Sequence, residues 1–310
     1  MRRKLIKQGV NALTVTLPAK WVESNHFLAG DDVDIEKTEH GLLITGRGAR
    51  TQRLKKINLH YENSSFLRVT LNTLYRMGYE RIEISYTSPH QAAQVTHCVQ
   101  SLLLGFEMTH HSRNLIIIEN VTEPNTEKES LLSVRMLYIL KESLALLEKD
   151  ITSGTFSIKE ISALSTKLEL YDNFCRRAIG FAHFQASNRD VLSWSFYNYL
   201  LLLQRCLFHL YQKSSLRPGR KKGVFSKQSL PAAKKHVLPL LLFFDRYLHA
   251  FLKKDQELLW SVDESAILFH DIFQRLCIRG GADALLFYYL ADFSRLLHLS
   301  TAPIAGLLLE

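Results

Sequence analysis

Hydrophobic positions follow two different periods along this chain. Near its start they alternate: Leu13, Val15 and Leu17 are separated by Thr14 and Thr16, and Val33 and Ile35 are interleaved with Asp32, Asp34 and Glu36. A period of two predicts half-buried strands. Pro18 ends the first of these stretches and suits the first turn of a helix, where its missing N–H costs nothing. Glu39, His40 and Gly41 make a turn into a strand over Leu42–Thr45. Met1 to Gly48 therefore reads as strand, strand, short helix, strand, strand. A unit of fewer than fifty residues with no disulfide and no metal ligands buries too little apolar surface to stand alone, so it should pair with a second copy as an intertwined dimer.

Between residues 55 and 121 short strands and helices alternate. "INLHY", "ERIEIS", "FEMTH" and "NLIIIEN" are strand-like. "SSFLRVTLNTLYRMG" opens on a serine cap and closes on Gly78, and "PHQAAQVTHCVQSLLLG" runs from Pro89 to Gly105, as helices should. The order is βαβαββ, a small α+β module. From residue 126 to 310 the period is helical throughout, as in Leu137, Leu140, Leu144 and Leu147, and in Leu164, Leu168 and Tyr171. Six helices are predicted, near 126–153, 157–185, 189–214, 231–254, 256–279 and 281–308, enough for two three-helix bundles at about 126–214 and 231–310. The fold class is multidomain α+β.

Charge sharpens this division. Lysine and arginine number 39 against 30 acids, a formal net charge of +9, which favours an anionic partner such as nucleic acid. The bases gather in three places. Arg2, Arg3, Lys4 and Lys7 precede any acid, the first acid being Glu23; "RGARTQRLKK" (47–56) holds five bases and no acid; and the stretch 213–235 holds eight bases and no acid. The last two read as a solvated linker and as a loop joining the two bundles. Four cysteines, Cys98, Cys175, Cys206 and Cys277, lie far apart with no C-x-x-C pair, which fits reduced thiols in a cytoplasm. The charged start leads into no long apolar run, and "VLPLLLFF" (237–244) is too short to cross a bilayer, so the chain is expected to be cytoplasmic and not inserted in a membrane.

Candidate chemistry is sparse. The chain has no G-x-G-x-x-G, no Walker-type G-K-S/T, no nucleophile elbow and no H-E-x-x-H, so no enzyme activity and no cofactor are expected. His110 and His111 are consecutive and read as surface or turn residues, and His97–Cys98 reads as rim and core. Asp263, Glu264, Asp271, Glu160 and Glu169 read as solvated helix faces. Trp21, Trp194 and Trp260 read as packing anchors.

The first unit resembles the AbrB/SpoVT family of swapped-hairpin DNA-binding domains, through "RRKLIKQG", "LTVTLPAKWV", "GDDVDIE" and "GLLI". That resemblance implies a dimer of interlaced chains, with double-stranded DNA facing the bases of the first strand, the following loop and the helix start, here Arg2, Arg3, Lys4, Lys7, Asn11 and Lys20. Lysine and arginine neutralise phosphates and release counterions, giving salt-dependent affinity. The acids Asp31, Asp32, Asp34, Glu36 and Glu39 would then face away from the duplex. The whole chain resembles an archaeal group in which such a domain precedes a PhoU-like helical region, through "LYRMGYERIEIS", "SLLLGFEM" and "LELYDNFCRRAI". Its members are described as phosphate uptake regulators, which implies a transcriptional regulator of phosphate homeostasis whose helical bundles sense a signal or a partner. The other reading is a PhoU-like adaptor for a signalling or transporter-associated protein, with the first domain serving only to dimerise. PhoU-like bundles carry paired carboxylates at i and i+4, a spacing that puts hard oxygen ligands on one helix face. Here the corresponding positions are Gln204 and Phe208, and Ser294 and His298, so no family-type metal cluster is expected.

Overall fold

The alternating stretches near the start form two antiparallel hairpins with a short helix between them. In the computed structural model, which describes residues 2–9, 12–38, 41–46, 53–59, 64–122, 126–181, 188–216, 224–281 and 283–309, strand β1 (Ile6–Gln8) pairs with β2 (Ala12–Thr14), and β3 (Val33–Thr38) pairs with β4 (Gly41–Gly46). Helix α1 (Ala19–Ser24) lies between the hairpins in sequence. Pro18 is its N-cap, one position earlier than the first-turn placement expected, and the Pro18 carbonyl accepts from Trp21 and Val22 N–H at 2.9 and 3.0 Å. The helix ends in a Schellman motif. His26 takes a left-handed φ of 57°, its N–H donates to Glu23, and the N–H of Phe27 donates to Val22. The Trp21 and Phe27 rings close this end at 5.1 Å.

The chain divides into two compact units, Met1–Arg53 and Leu54–Glu310. The second begins with strand β5 (Leu54–Asn58), so the end of the basic stretch 47–56 is strand and not linker; residues 47–52 lie outside the described residues. The rest of the module is α2 (Ser64–Arg76), β6 (Arg81–Ser85), α3 (Pro89–Leu102), β7 (Phe106–His111) and β8 (Leu115–Asn120), the βαβαββ order expected. The sheet order is β5-β6-β8-β7, with β5 and β6 parallel and the other neighbours antiparallel. One face carries Ile82, Ile84, Ile116 and Ile118, all fully buried with Leu71, Tyr75, Val95 and Val99 of the two helices. On the other face Arg81 bridges Glu119 at 2.5 Å and Lys56 reaches Glu83 at 3.0 Å, cross-strand pairs that hold the register, and Arg81 also meets Glu83 of its own strand at 3.1 Å. Ser88 and Gln91 form a capping box at the start of α3. Gly78 and Gly105 both take left-handed φ, as helix-ending glycines should.

Six helices follow: α4 (Thr126–Ser153), α5 (Ile158–Phe181), α6 (Asn188–Ser215), α7 (Leu230–Lys253), α8 (Gln256–Ile278) and α9 (Ala284–Leu309). Leu137, Leu140, Leu144 and Leu147 are all buried, as their spacing requires. The two groups of three share one continuous core, because α6 packs on α9 and α4 on α7. Phe196 stacks on Phe251 at 5.0 Å, and the Tyr247 hydroxyl meets Ser300 Oγ at 2.6 Å. No helix among the described residues is long and apolar enough to cross a membrane.

The basic stretch 213–235 differs from the solvated loop expected. Its first residues belong to α6 and its last to α7, while Val224 and Phe225 are buried. Ser214 Oγ donates to the Val224 carbonyl at 2.7 Å, Ser226 N–H donates to Asp283 at 2.7 Å, and Phe225 packs on Phe287 at 5.3 Å. Two apolar residues amid eight bases pin the connection to the core; residues 217–223 lie outside the described residues.

Candidate nucleic-acid interface

The hairpin β1–β2 sets the geometry of the basic residues. Arg2, Arg3 and Lys4 lead into β1, Lys7 lies within it, and Lys20 is in the first turn of α1; all five are exposed. Asn11 lies outside the described residues. Ile6 pairs with Thr14 and Lys7 with Leu13. Directly opposed residues project from the same face of a hairpin, so Lys7 shares its face with Leu13. Continuing the alternation one residue outward adds Leu5 and Val15 to that face, with Arg3 beyond them. Lys4 and Arg2 alternate onto the other. The faces are therefore not divided into one basic and one apolar.

No described residue of this unit is buried. Leu5 is 66% exposed, Leu13 64%, Val15 44% and Ile35 60%. Ile35 stands opposite the half-buried Ile44, so β3–β4 also carries an apolar pair on one face, while Asp34 pairs with Thr45 on the reverse face. Asp31 is tied locally, accepting from Leu28 N–H at 2.6 Å. An isolated two-stranded hairpin is marginally stable at best, and these two hairpins expose the residues that would form a core.

The second unit holds a largely buried cluster of charges. On α5, Glu169, Asp172, Asn173, Arg176 and Arg177 follow one another at i, i+3, i+4, i+7 and i+8, the spacing of a core-facing stripe. They receive three side chains of α2. Arg68 forms a two-pronged pair with Glu169, one arm at 3.2 Å, and Asn72 donates to the same carboxylate at 3.4 Å. Arg76 Nη2 and Arg176 Nε each reach Asp172 at 2.8 Å, and Arg76 Nε donates to Asn173 at 2.8 Å. Burial pushes the Asp172 carboxyl up, opposed by Arg176 and Arg76, while burial pushes Arg76 down, opposed by Asp172. Arg177 is fully buried. Its Nη1 donates to the Tyr75 and Tyr79 carbonyls at 2.8 Å, and its guanidinium lies 4.9 and 4.8 Å from the Tyr75 and Phe106 ring centres. Burial lowers its pKa to about 10. Arg177 thus caps the C-terminal end of α2, whose last carbonyls carry the negative end of the helix dipole. A Cβ at Gly180 would overlap the Arg76 carbonyl oxygen, so glycine is what lets α5 cross this close to α2.

This cluster joins the α+β module to the helical region, and it corrects the reading of Glu169 as a solvated residue. Residue composition concealed it; a stripe of acids and arginines at core spacing was the available signal. Asp263 is likewise engaged, accepting from Thr301 Oγ1 and pairing with His298 Nδ1, each at 2.7 Å. Gln204 is buried as part of a polar layer, accepting from Ser143 Oγ at 3.0 Å and donating to Ser165 Oγ at 3.1 Å. Ser294 is buried and bonds to the Leu290 carbonyl of its own helix. Among the described residues no three His, Cys, Asp or Glu side chains converge as a metal site would require. Trp21 packs on Phe27 and Trp194 lies under the Arg176 guanidinium at 4.7 Å, but Trp260 is 68% exposed. Comparison with protein-family models, with curated proteins and with solved structures finds no match to this chain.

Proposed function

We propose that this chain is a DNA-binding transcriptional regulator that grips the duplex as a dimer. One observation carries the reading: Arg2, Arg3, Lys4 and Lys7 lie in and just before one strand of a unit in which no described residue is buried and Leu5, Leu13 and Val15 are exposed. A second copy supplies cover, burying Leu5, Leu13 and Val15 and bringing two sets of bases to one assembly. Phosphate contacts from such a surface give strong, salt-dependent and weakly sequence-specific affinity. The resemblance of the chain to archaeal PhoU-like regulators makes phosphate homeostasis the subject of the regulation, with the second unit receiving the signal.

The test is fluorescence anisotropy of a labelled duplex with the full chain across a salt series, beside an Arg3→Ala/Lys4→Ala/Lys7→Ala variant. The expected result is tight binding that weakens with salt, with the slope of log K against log salt flattened by about 0.9 for each phosphate contact the variant loses. Binding unchanged in the variant would refute this assignment of the interface. No DNA binding by an intact dimer would make the first unit a dimerisation device only and favour the adaptor reading.

A further inference from the structure

Trp260 is 68% exposed, although α8 is packed along its inner side through Leu259, Val262, Ala266 and Phe273. Beside it Leu259, Asp263, Thr301, Ala302, Ala305 and Leu309 line a cavity of about 280 Å³ between α8 and α9. The small side chains at 302 and 305 open the groove. Asp263 is fixed there by its bonds to Thr301 and His298. Farther along α8, Glu264, Ile267, Leu268 and Asp271 are exposed, so the accessible strip of the helix extends for two more turns beyond the groove.

Charge decides what fits. Helix α8 holds four acids, Glu257, Asp263, Glu264 and Asp271, against one base, Arg275, within a chain where bases outnumber acids by 39 to 30. Lys253 and Lys254 close α7 before this helix begins. A second copy seated symmetrically on this face would set the acids of one α8 against those of the other, which is destabilising. We propose that the α8–α9 groove docks a basic amphipathic helix of a partner protein. Its apolar residues at i, i+3 or i+4 and i+7 enter the groove and cover Trp260 and Leu309, and its lysines and arginines meet Glu257, Glu264 and Asp271. Trp260 is the anchor of the contact, since large aromatic residues in such positions carry most of the binding energy. This inference does not depend on the DNA-binding reading.

The test uses the full chain and two amphipathic helical peptides of equal length that share one leucine face, the first with lysines on its polar face and the second with glutamates. Labelled peptide is titrated with wild-type chain and with Trp260→Ala, Ala302→Arg and Glu257→Gln/Glu264→Gln variants, each with its thermal transition recorded. Position 302 is exposed, so Ala302→Arg blocks the groove without disturbing the core. The expected result is saturable one-to-one binding of the lysine peptide, with a loss of about tenfold or more in each variant, corresponding to about 1.4 kcal/mol, and negligible binding of the glutamate peptide. Equal binding of both peptides, no binding of the lysine peptide, or unchanged binding by Trp260→Ala and Ala302→Arg chains that melt as the wild type does would each overturn the proposal. Self-association of the wild-type chain that Trp260→Ala abolishes would assign the groove to a second copy, and would overturn it as well.

Discussion

Asp172 is the keystone of the junction between the α+β module and the helical region, and replacing it with asparagine tests how that junction is held. Three guanidiniums, those of Arg68, Arg76 and Arg176, reach only two carboxylates, Asp172 and Glu169. The Asp172 side chain is fully buried, and both of its arginine contacts are at 2.8 Å. Asp172→Asn keeps the shape but removes half of the negative charge. Arg176, only 3% exposed and with no hydrogen-bond partner for Nη2 among the described residues, then stays buried without its counter-charge. Breaking a buried pair by removing one member costs about 3–5 kcal/mol. At about 2–4 °C per kcal/mol for a chain segment of this size, the thermal midpoint of the second unit should fall by roughly 6–20 °C. Urea unfolding followed by circular dichroism measures the free energy. Adding Arg176→Met to Asp172→Asn should recover part of the loss, with a coupling of about 2 kcal/mol within the range for contacting residues. A cost below about 1 kcal/mol for Asp172→Asn, within the range of an exposed pair, would refute the view that an ionised carboxylate here neutralises the arginines.

Two further outcomes follow from the same region. Gly180→Ala places a methyl group on the Arg76 carbonyl and should cost about 3 kcal/mol or more by forcing α5 away from α2; urea midpoints of the full chain measure it, and a change within the error of the wild type would show that the helices separate easily. Glu129, which accepts a hydrogen bond from Tyr197, has its carboxyl raised chiefly by burial, with Tyr197 and Arg189 opposing. The folded chain therefore holds this proton to higher pH than the unfolded chain, and its contribution to stability declines as pH rises from the unfolded value of 4.5 through the folded one. Glu129→Gln removes that decline, so the stability of the variant minus that of the wild type should grow between pH 4 and pH 7 in urea titrations; a flat difference would contradict the burial effect.

The residue pattern by itself determined most of the local structure. Periods of two and 3.6 located the hairpins, the βαβαββ order and the six long helices, because strands and helices bury alternate and stripe positions respectively. Gly78, Gly105 and Ser88 marked helix ends through their own backbone and capping chemistry. The exposed positions of Arg2, Arg3, Lys4, Lys7 and Lys20 were also readable, since a run of bases without acids has no internal partner in the sequence around it.

What only the tertiary structure decided were pairings between distant residues. Glu169 on α5 meets Arg68 on α2 across 101 positions, and nothing local distinguishes its carboxylate from a solvated one. Phe225 packs on Phe287 and Ser226 N–H donates to Asp283 of a later segment, which turns a basic connection into a core contact. Trp260 stands beside the small residues Ala302 and Ala305 of α9, a juxtaposition that no periodicity along α8 contains. The hydrogen-bond register of β1 and β2 placed Lys7 on the face of Leu13, and that depends on where the chain turns between them. Spacing along a chain specifies which face a residue occupies; which other face it meets is fixed only when distant segments pack.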